Sequence, residues 1–248
     1  MIRAWREHLG PWRLQLITHL AQDWKSPWTN QTARAGSRLT LSSVIELPNK
    51  HELTIPVPNA TALMLNCSAR AGMAAAATRA ASKLDSTLHR QVNFECDARA
   101  FDYIENMIEA IIFALMALEA FANETIPDDF KCVIARRSKA TVEPMHKADI
   151  EKHVTLDEKL SAVLPQVLSC ATPKGRAIWE NYLRLRKTRD RLVHLKSEDR
   201  RSSTADVRTA WSAIFQVVFP HRTAKAMIDH YVKAMSNKPM WWARYPLN

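Results

Sequence analysis

Glycine is scarce in this chain, and its scarcity limits the folds that the chain can adopt. Only 4 of the 248 residues are glycine. Glycine supplies the left-handed backbone conformation that tight hairpins and nucleotide-binding loops require. Good helix formers such as alanine, leucine, arginine, lysine and glutamate dominate the long segments instead. The sequence therefore predicts an all-α fold, a helical bundle with few tight turns.

The first 59 residues differ from the rest and are predicted to form an N-terminal appendage to a helical domain spanning 60–248. Two β-leaning runs, 39–47 and 51–57, flank Pro48-Asn49-Lys50 and suggest a β-hairpin. Tryptophans in a basic stretch can anchor such an appendage or stack on nucleic-acid bases. The tryptophans concerned are Trp5, Trp12, Trp24 and Trp28.

Hydrophobic periodicity indicates several helices after residue 60. The clearest is 97–124, where apolar residues recur every three to four positions and form one stripe. Its members are Ile104, Ile108, Ile111, Ile112, Leu115 and Leu118. Thr155 and Glu158 have the spacing of a capping box and predict a helix start. The other predicted helices are 60–89, 176–196, 204–219 and 222–235, with an exposed loop at 130–147.

The net charge of +10 and the pI of about 9.7 favour a polyanionic partner, and nucleic acid, an acidic protein and an anionic membrane surface all fit. The four cysteines are widely spaced, so neither a metal site nor another cofactor is expected. Free thiols of this kind suit a reducing cytoplasm. The sequence has no signal-peptide pattern and no membrane-spanning run, so a soluble cytoplasmic protein is expected.

The 176–196 helix carries the residues best suited to chemistry. Arg189 falls on its apolar stripe, where a guanidinium needs a partner or a polar cleft. Asp190 and His194 are four residues apart and share a face. A structural interpretation also fits, in which Arg189 pairs with a buried glutamate such as Glu119 and His194 lies at a helix end.

The segment RDRLVH, preceded by a helix ending LEAFANETIP, resembles the HEPN family of nucleotide-binding and RNA-cleaving helical domains. The intervening LDEKLSAVLPQVL, TPKG and Trp179 are similar to a bacterial HEPN group. The resemblance covers about 60–235 and implies a HEPN-like helical bundle. It places the family's arginine, polar residue and histidine at Arg189, Asp190 and His194.

The resemblance implies a homodimer that cuts RNA without a metal, with Arg189 and His194 as catalytic residues. Asp190 would orient His194, while Glu119 and Asn123 would hold Arg189. An inhibitory antitoxin or a defence-system partner is a further expectation of the family. In members silenced by a nucleotidyltransferase antitoxin, a tyrosine typically lies two residues after the histidine. Lys196 occupies that position here, which argues against that particular mechanism.

A basic run beside this motif favours RNA as the partner. Between Arg184 and Arg201, eight lysines or arginines face three acids, for a net charge of +5, which attracts a phosphate backbone. The RNA-binding candidates are Arg184, Arg186, Lys187, Arg191 and Lys196. A solvated basic helix face explains the same run. The alternative functions are a non-catalytic HEPN module that binds RNA, a nucleotide or a protein, and a DNA-binding helical domain.

Overall fold

The computed structural model describes residues 11–25, 27, 30–84, 92–133 and 144–245. The described residues of 1–63 and 238–248 cluster into one compact unit, and those of 64–237 form the other. The sequence placed the boundary after residue 59 and assigned the C-terminal residues to the helical domain. In the structure, residues 238–245 belong instead to the unit that contains the N-terminal appendage. The protein is mostly helical, with small antiparallel strand pairs near the N-terminus.

The described residues of the N-terminal unit form three antiparallel strand pairs. The strands Ser42–Glu46 and Glu52–Pro56 pair in register from Ser42 opposite Pro56 to Glu46 opposite Glu52 and form the predicted β-hairpin. Its turn has no glycine because Lys50 adopts the left-handed conformation, with φ of 65°. The strands are β1 (Leu16–His19) with β4 (Arg38–Thr40), β2 (Trp24–Lys25) with β3 (Thr32–Ala33), and β5 (Ser42–Glu46) with β6 (Glu52–Pro56).

The tryptophans of this unit divide into buried and exposed ones. Trp12 is buried and lies edge-on to Tyr245, with ring centroids 5.4 Å apart. Trp241 is also buried. Trp24 is 48% exposed. Trp12 therefore belongs to the core of this unit, whereas Trp5 and Trp28 lie outside the described residues.

Helices make up most of the second unit, and the chain enters that unit within the first of them. Two-residue strand pairs, β7 (Lys83–Leu84) with β8 (Val92–Asn93) and β9 (Lys131–Cys132) with β10 (Met145–His146), complete it. The helices are α1 (Ala60–Ala80), α2 (Asp97–Thr125), α3 (Lys147–His153), α4 (156–167), α5 (Ala177–Val193), α6 (Ala210–Phe215) and α7 (Pro220–Val232).

Helix α2 is the centre of the helical core and packs against both α5 and α7. Its bounds match the prediction to within a residue. It ends where Ile126 turns extended before Pro127, because a proline disfavours helical backbone in the preceding residue. The buried line includes four alanines (Ala110, Ala114, Ala117 and Ala122), while Ile112 is exposed. The predicted stripe is therefore rotated toward small residues, which permit closer approach of neighbouring helices.

Helix α4 begins at the predicted capping box and contains an irregular turn. The Thr155 hydroxyl accepts the Glu158 N–H, and the Glu158 carboxylate accepts the Thr155 N–H. The segment Lys159–Val163 is π-helical, with Leu164 N–H donating to the Lys159 carbonyl. Pro165 follows and has no N–H to donate.

A residue other than proline at position 165 could donate its N–H to one of two earlier carbonyls. Both of these carbonyls instead accept hydrogen bonds from side-chain hydroxyl groups. The Leu160 carbonyl, five residues earlier, accepts the buried Tyr231 hydroxyl. The Ser161 carbonyl, four residues earlier, accepts the Thr172 hydroxyl at 2.9 Å. Burial raises the pKa of Tyr231, so its hydroxyl stays protonated and can donate. The π-turn is thus sustained by groups outside α4.

Several predicted elements differ from the structure: α3 was not predicted, α5 ends at Val193 and not at 196, and α7 spans Pro220–Val232 and not 222–235. The helix predicted over 60–89 ends at Ala80, and 85–89 lie outside the described residues. The helix predicted over 204–219 shrinks to Ala210–Phe215, since the Thr209 side chain caps its start and Gln216 is its C-cap. The 130–147 segment was predicted as a loop, but Lys131–Cys132 pairs with Met145–His146.

Candidate functional site

Arg189 lies at the edge of the buried face of α5, not within it. The buried positions of α5 are Trp179, Tyr182, Leu185 and Thr188. The Arg189 side chain is 41% exposed, and its Nε donates to Asp190 Oδ1 at 2.8 Å. Within the described residues, its terminal nitrogens have no hydrogen-bond partner. A half-exposed pair of this kind contributes about 0–1 kcal/mol to stability, so the guanidinium remains available to bind an anion.

His194 is the residue at which α5 ends. The helix stops at Val193, and His194 leaves helical geometry while its backbone N–H still donates to the Asp190 carbonyl at 3.0 Å. The His194 side chain is exposed. Five positions separate it from Arg189, which corresponds to about 140° around a helix. Both candidate catalytic side chains therefore reach solvent near the C-terminal end of α5.

Asp190 has a different partner from the one that the sequence suggested. Its carboxylate accepts from Arg189. Among the described residues, no hydrogen bond joins its side chain to His194. The one-turn relation between Asp190 and His194 is kept by the backbone alone. In this conformation Asp190 positions Arg189, and the imidazole of His194 is not oriented by it.

Glu119 and Asn123 also contact a different residue from the predicted Arg189. Both are one turn apart on α2, as expected, but they bind the ammonium group of Lys159. Lys159 Nζ donates to Glu119 Oε1, to Asn123 Oδ1 at 2.9 Å and to the Glu151 carbonyl at 3.1 Å. Lys159 is fully buried, and a buried ammonium needs such a set of acceptors. The acidic residue of α2 therefore belongs to a structural cluster in this structure.

The five RNA-binding candidates fall into separate groups. Arg186 donates to Asp157 Oδ2 at 2.6 Å, and Tyr182 donates to the same carboxylate. Burial, reinforced by that carboxylate, raises the pKa of Tyr182. Arg186 thus joins α5 to α4. By contrast, Arg184 and Lys187 line an open groove and have no ion-pair partner among the described residues.

Asp199 organises the segment that follows α5, a role that was not predicted from the sequence. Its buried carboxylate accepts from Arg191 at 2.9 Å, from the Lys196 N–H at 2.7 Å and from the Ala210 N–H at 2.7 Å. Burial alone would raise its pKa. The two backbone donors and the charges of Arg191 and Lys196 outweigh burial, so the pKa is lowered. Arg191 and the Lys196 backbone therefore hold the chain after His194.

No group of three or more histidine, cysteine, aspartate or glutamate side chains that could hold a metal ion occurs in the described ranges. In the part of the chain that the structure describes, no helix is long and apolar enough to cross a membrane. Comparisons with protein-family models, with curated proteins and with solved structures gave no match to this chain.

Proposed function

We propose that this protein is a metal-independent endoribonuclease of the HEPN type, with Arg189 and His194 as its catalytic residues. The observation that carries the proposal is the exposure of both side chains at the end of α5, beside a run with net charge +5. A phosphate backbone is attracted to such a run. A toxin, anti-phage defence or stress role, in the cytoplasm, is part of the proposal.

RNA supplies its own nucleophile for this reaction. His194 takes the proton from a ribose 2′-hydroxyl, and the 2′-oxygen attacks the adjacent phosphorus. The bond from phosphorus to the 5′-oxygen breaks, and that oxygen receives a proton. The products are a 2′,3′-cyclic phosphate and a 5′-hydroxyl end. Arg189 stabilises the negative charge on the phosphoryl oxygens through its terminal nitrogens, while Asp190 engages Nε.

A homodimer completes the site in this proposal. The mechanism needs one group to accept a proton and another to donate one, and each chain supplies one Arg189/His194 pair. A second copy facing the first across a cleft supplies the second imidazole. An antitoxin or a defence-system protein that covers this cleft would silence the enzyme.

The placement of Asp190 favours a second candidate function, a non-catalytic HEPN module that binds RNA, a nucleotide or a protein partner. Because its carboxylate engages Arg189 and not His194, the imidazole lacks the orienting group expected of a general base. The same exposed residues would then bind phosphate without cleaving the RNA.

The test is RNA cleavage by the purified protein in EDTA, beside Arg189→Ala and His194→Ala. Since removal of a general acid–base typically costs about 10²–10⁴-fold in rate, we expect cleavage to fall by that order in His194→Ala. Product ends should carry cyclic phosphates. The exposed helix residue Arg70 provides a matched control, and Arg70→Ala should cleave normally. Cleavage that is unchanged in His194→Ala would refute the site, and intact RNA with the wild-type protein would favour the binding module.

A further inference from the structure

A groove of about 880 Å³ lies between α5 and the segment that leads into α6. On the α5 side, Arg184, Lys187 and Thr188 line it at helical spacing, so they share one face. On the other side it is lined by residues of the 205–216 segment, including Arg208. The volume is near the upper end of the 300–1,000 Å³ typical of binding clefts, which is more space than a single phosphate needs.

Three cations line this groove, and none of them has an ion-pair partner among the described residues. Arg184, Lys187 and Arg208 are exposed, and no ion pair joins any of them to another described residue. Their neighbours Arg186 and Arg191 are instead paired with carboxylates. Since the paired arginines hold the fold together, the unpaired ones are the groups free to bind an external anion.

The remaining lining residues suit a nucleotide chain better than an isolated anion. Glu180 and Asp206 also line the groove, and their carboxylates can accept hydrogen bonds from ribose hydroxyls and base N–H groups. A hydrogen bond from the Thr204 hydroxyl lowers the pKa of Asp206, which stays an acceptor at neutral pH. Leu183 and Val207 add apolar contact. Cations for phosphates, acceptors for sugars and bases, and apolar surface thus occur together.

We propose that this groove binds the backbone of single-stranded RNA, with Arg184, Lys187 and Arg208 contacting its phosphates. The proposal rests on the proposed function in taking RNA as the polyanion. Lys187 and Thr188 directly precede Arg189, so RNA in the groove lies along the helix that ends at His194. Arg208 is added to the binding residues, whereas Arg186 and Arg191 are assigned to structural ion pairs.

The experiment measures binding of a short fluorescent single-stranded RNA to full-length His194→Ala protein, in which cleavage is blocked. Anisotropy titrations at several salt concentrations give Kd and its salt dependence. Adding Arg208→Glu or Lys187→Glu should weaken binding about tenfold, because attraction to a phosphate becomes repulsion. Arg208→Ala should reduce the slope of log Kd against log salt by about 0.7, the value for one phosphate contact on a single strand.

The matched control is Arg70→Glu, which makes the same charge change at an exposed position of α1. It should change Kd less than about twofold, because moderate salt screens the attraction between RNA and charges outside the binding site. An Arg70→Glu effect as large as that of Arg208→Glu would overturn the proposal. Undetectable RNA binding, or tighter binding of duplex DNA through the same residues, would also overturn it. Thermal melts should show that all variants are folded, because these exposed side chains have no ion-pair partner in the described part of the chain.

In this design, the proposal that the groove binds RNA and the proposal that the protein cleaves RNA can be refuted independently. If RNA binding depends on the groove residues but the wild-type protein does not cleave RNA, the proposal about the groove is supported and the proposed nuclease function is refuted. If cleavage requires His194 but its KM is unchanged in Arg208→Glu, the proposed nuclease function is supported and the proposal that the groove binds RNA is refuted.

Discussion

His221 should make the stability of the helical unit depend on pH. This histidine is the second residue of α7 and is 1% exposed. Its Nδ1 is buried, with no hydrogen-bond partner in the described part of the chain, and its ring lies edge-on to Phe219, with centroids 5.8 Å apart. Burial, together with the positive charge of Arg222, lowers the pKa of His221 to about 4. The native state therefore holds it neutral.

The expected loss of stability follows from the difference between the folded and unfolded pKa values. In the unfolded chain the imidazole has its ordinary pKa of 6.5, so between pH 6.5 and 4 the unfolded state binds the proton and the native state does not. The stability that depends on neutral His221 is fully present above about pH 7 and is lost as the pH falls through this window. A difference of about 2.5 pKa units corresponds to about 3 kcal/mol at low pH, of which about 2.5 kcal/mol is lost by pH 4.5.

The assay is urea unfolding followed by far-UV circular dichroism at about pH 7.5 and about pH 4.5, comparing wild type with His221→Leu. Carboxyl groups titrate in both proteins, so the difference between the two pH-dependent losses isolates His221. Wild type should lose about 2.5 kcal/mol more than His221→Leu. The exposed-histidine variant His194→Ala should behave like wild type. Equal losses in wild type and His221→Leu would refute the reasoning, whatever the absolute stability of the variant.

Two further changes test close contacts in the helical unit. Gly72→Ala places a Cβ 3.0 Å from His221 Nδ1, so it should destabilise the wild type by about 1 kcal/mol. In a His221→Ala background the same change should instead stabilise by about 1 kcal/mol, because alanine is the better helix former; an equal effect in both backgrounds, measured by urea unfolding, would contradict this. Tyr231→Phe leaves the buried Leu160 carbonyl without its hydroxyl donor and should cost about 1–3 kcal/mol. Thr172→Val removes the exposed donor to Ser161, which water can replace, and a cost as large as that of Tyr231→Phe would contradict the assignment.

Local features were predictable from the sequence because neighbouring residues determine them. The Thr155–Glu158 capping box and the end of α2 before Pro127 depend on residues within a few positions of each other. The hairpin was predicted despite its glycine-free turn, since its two β-leaning runs and the Pro48-Asn49-Lys50 turn lie within one short segment. Such signals identified the helical class, both ends of α2 and α4, and the starts of α1 and α5.

Contacts between distant residues were not predictable in the same way. Glu119 required a cationic partner, and both Arg189 and Lys159 were available to it; which one it binds depends on how α2, α4 and α5 pack. Arg208 was not predicted as a binding residue, because the other two groove cations, Arg184 and Lys187, precede it by about two dozen residues. Sequence spacing identified the residue types of the candidate site, while packing decided which of them are paired.

Because α4 contains a π-turn, its packing depends on the number of residues in this segment as much as on their identity. A π-turn holds one more residue than an α-helical turn between the same hydrogen-bonded ends. Deletion of a single residue within 159–163 would produce a regular helix, but it would rotate the preceding residues by about 100° relative to those that follow. Lys159 would then turn away from Glu119, and Leu160 from Tyr231. Insertions and deletions at this point are therefore expected to be more damaging than most substitutions, since one missing residue would break both inter-helix contacts together.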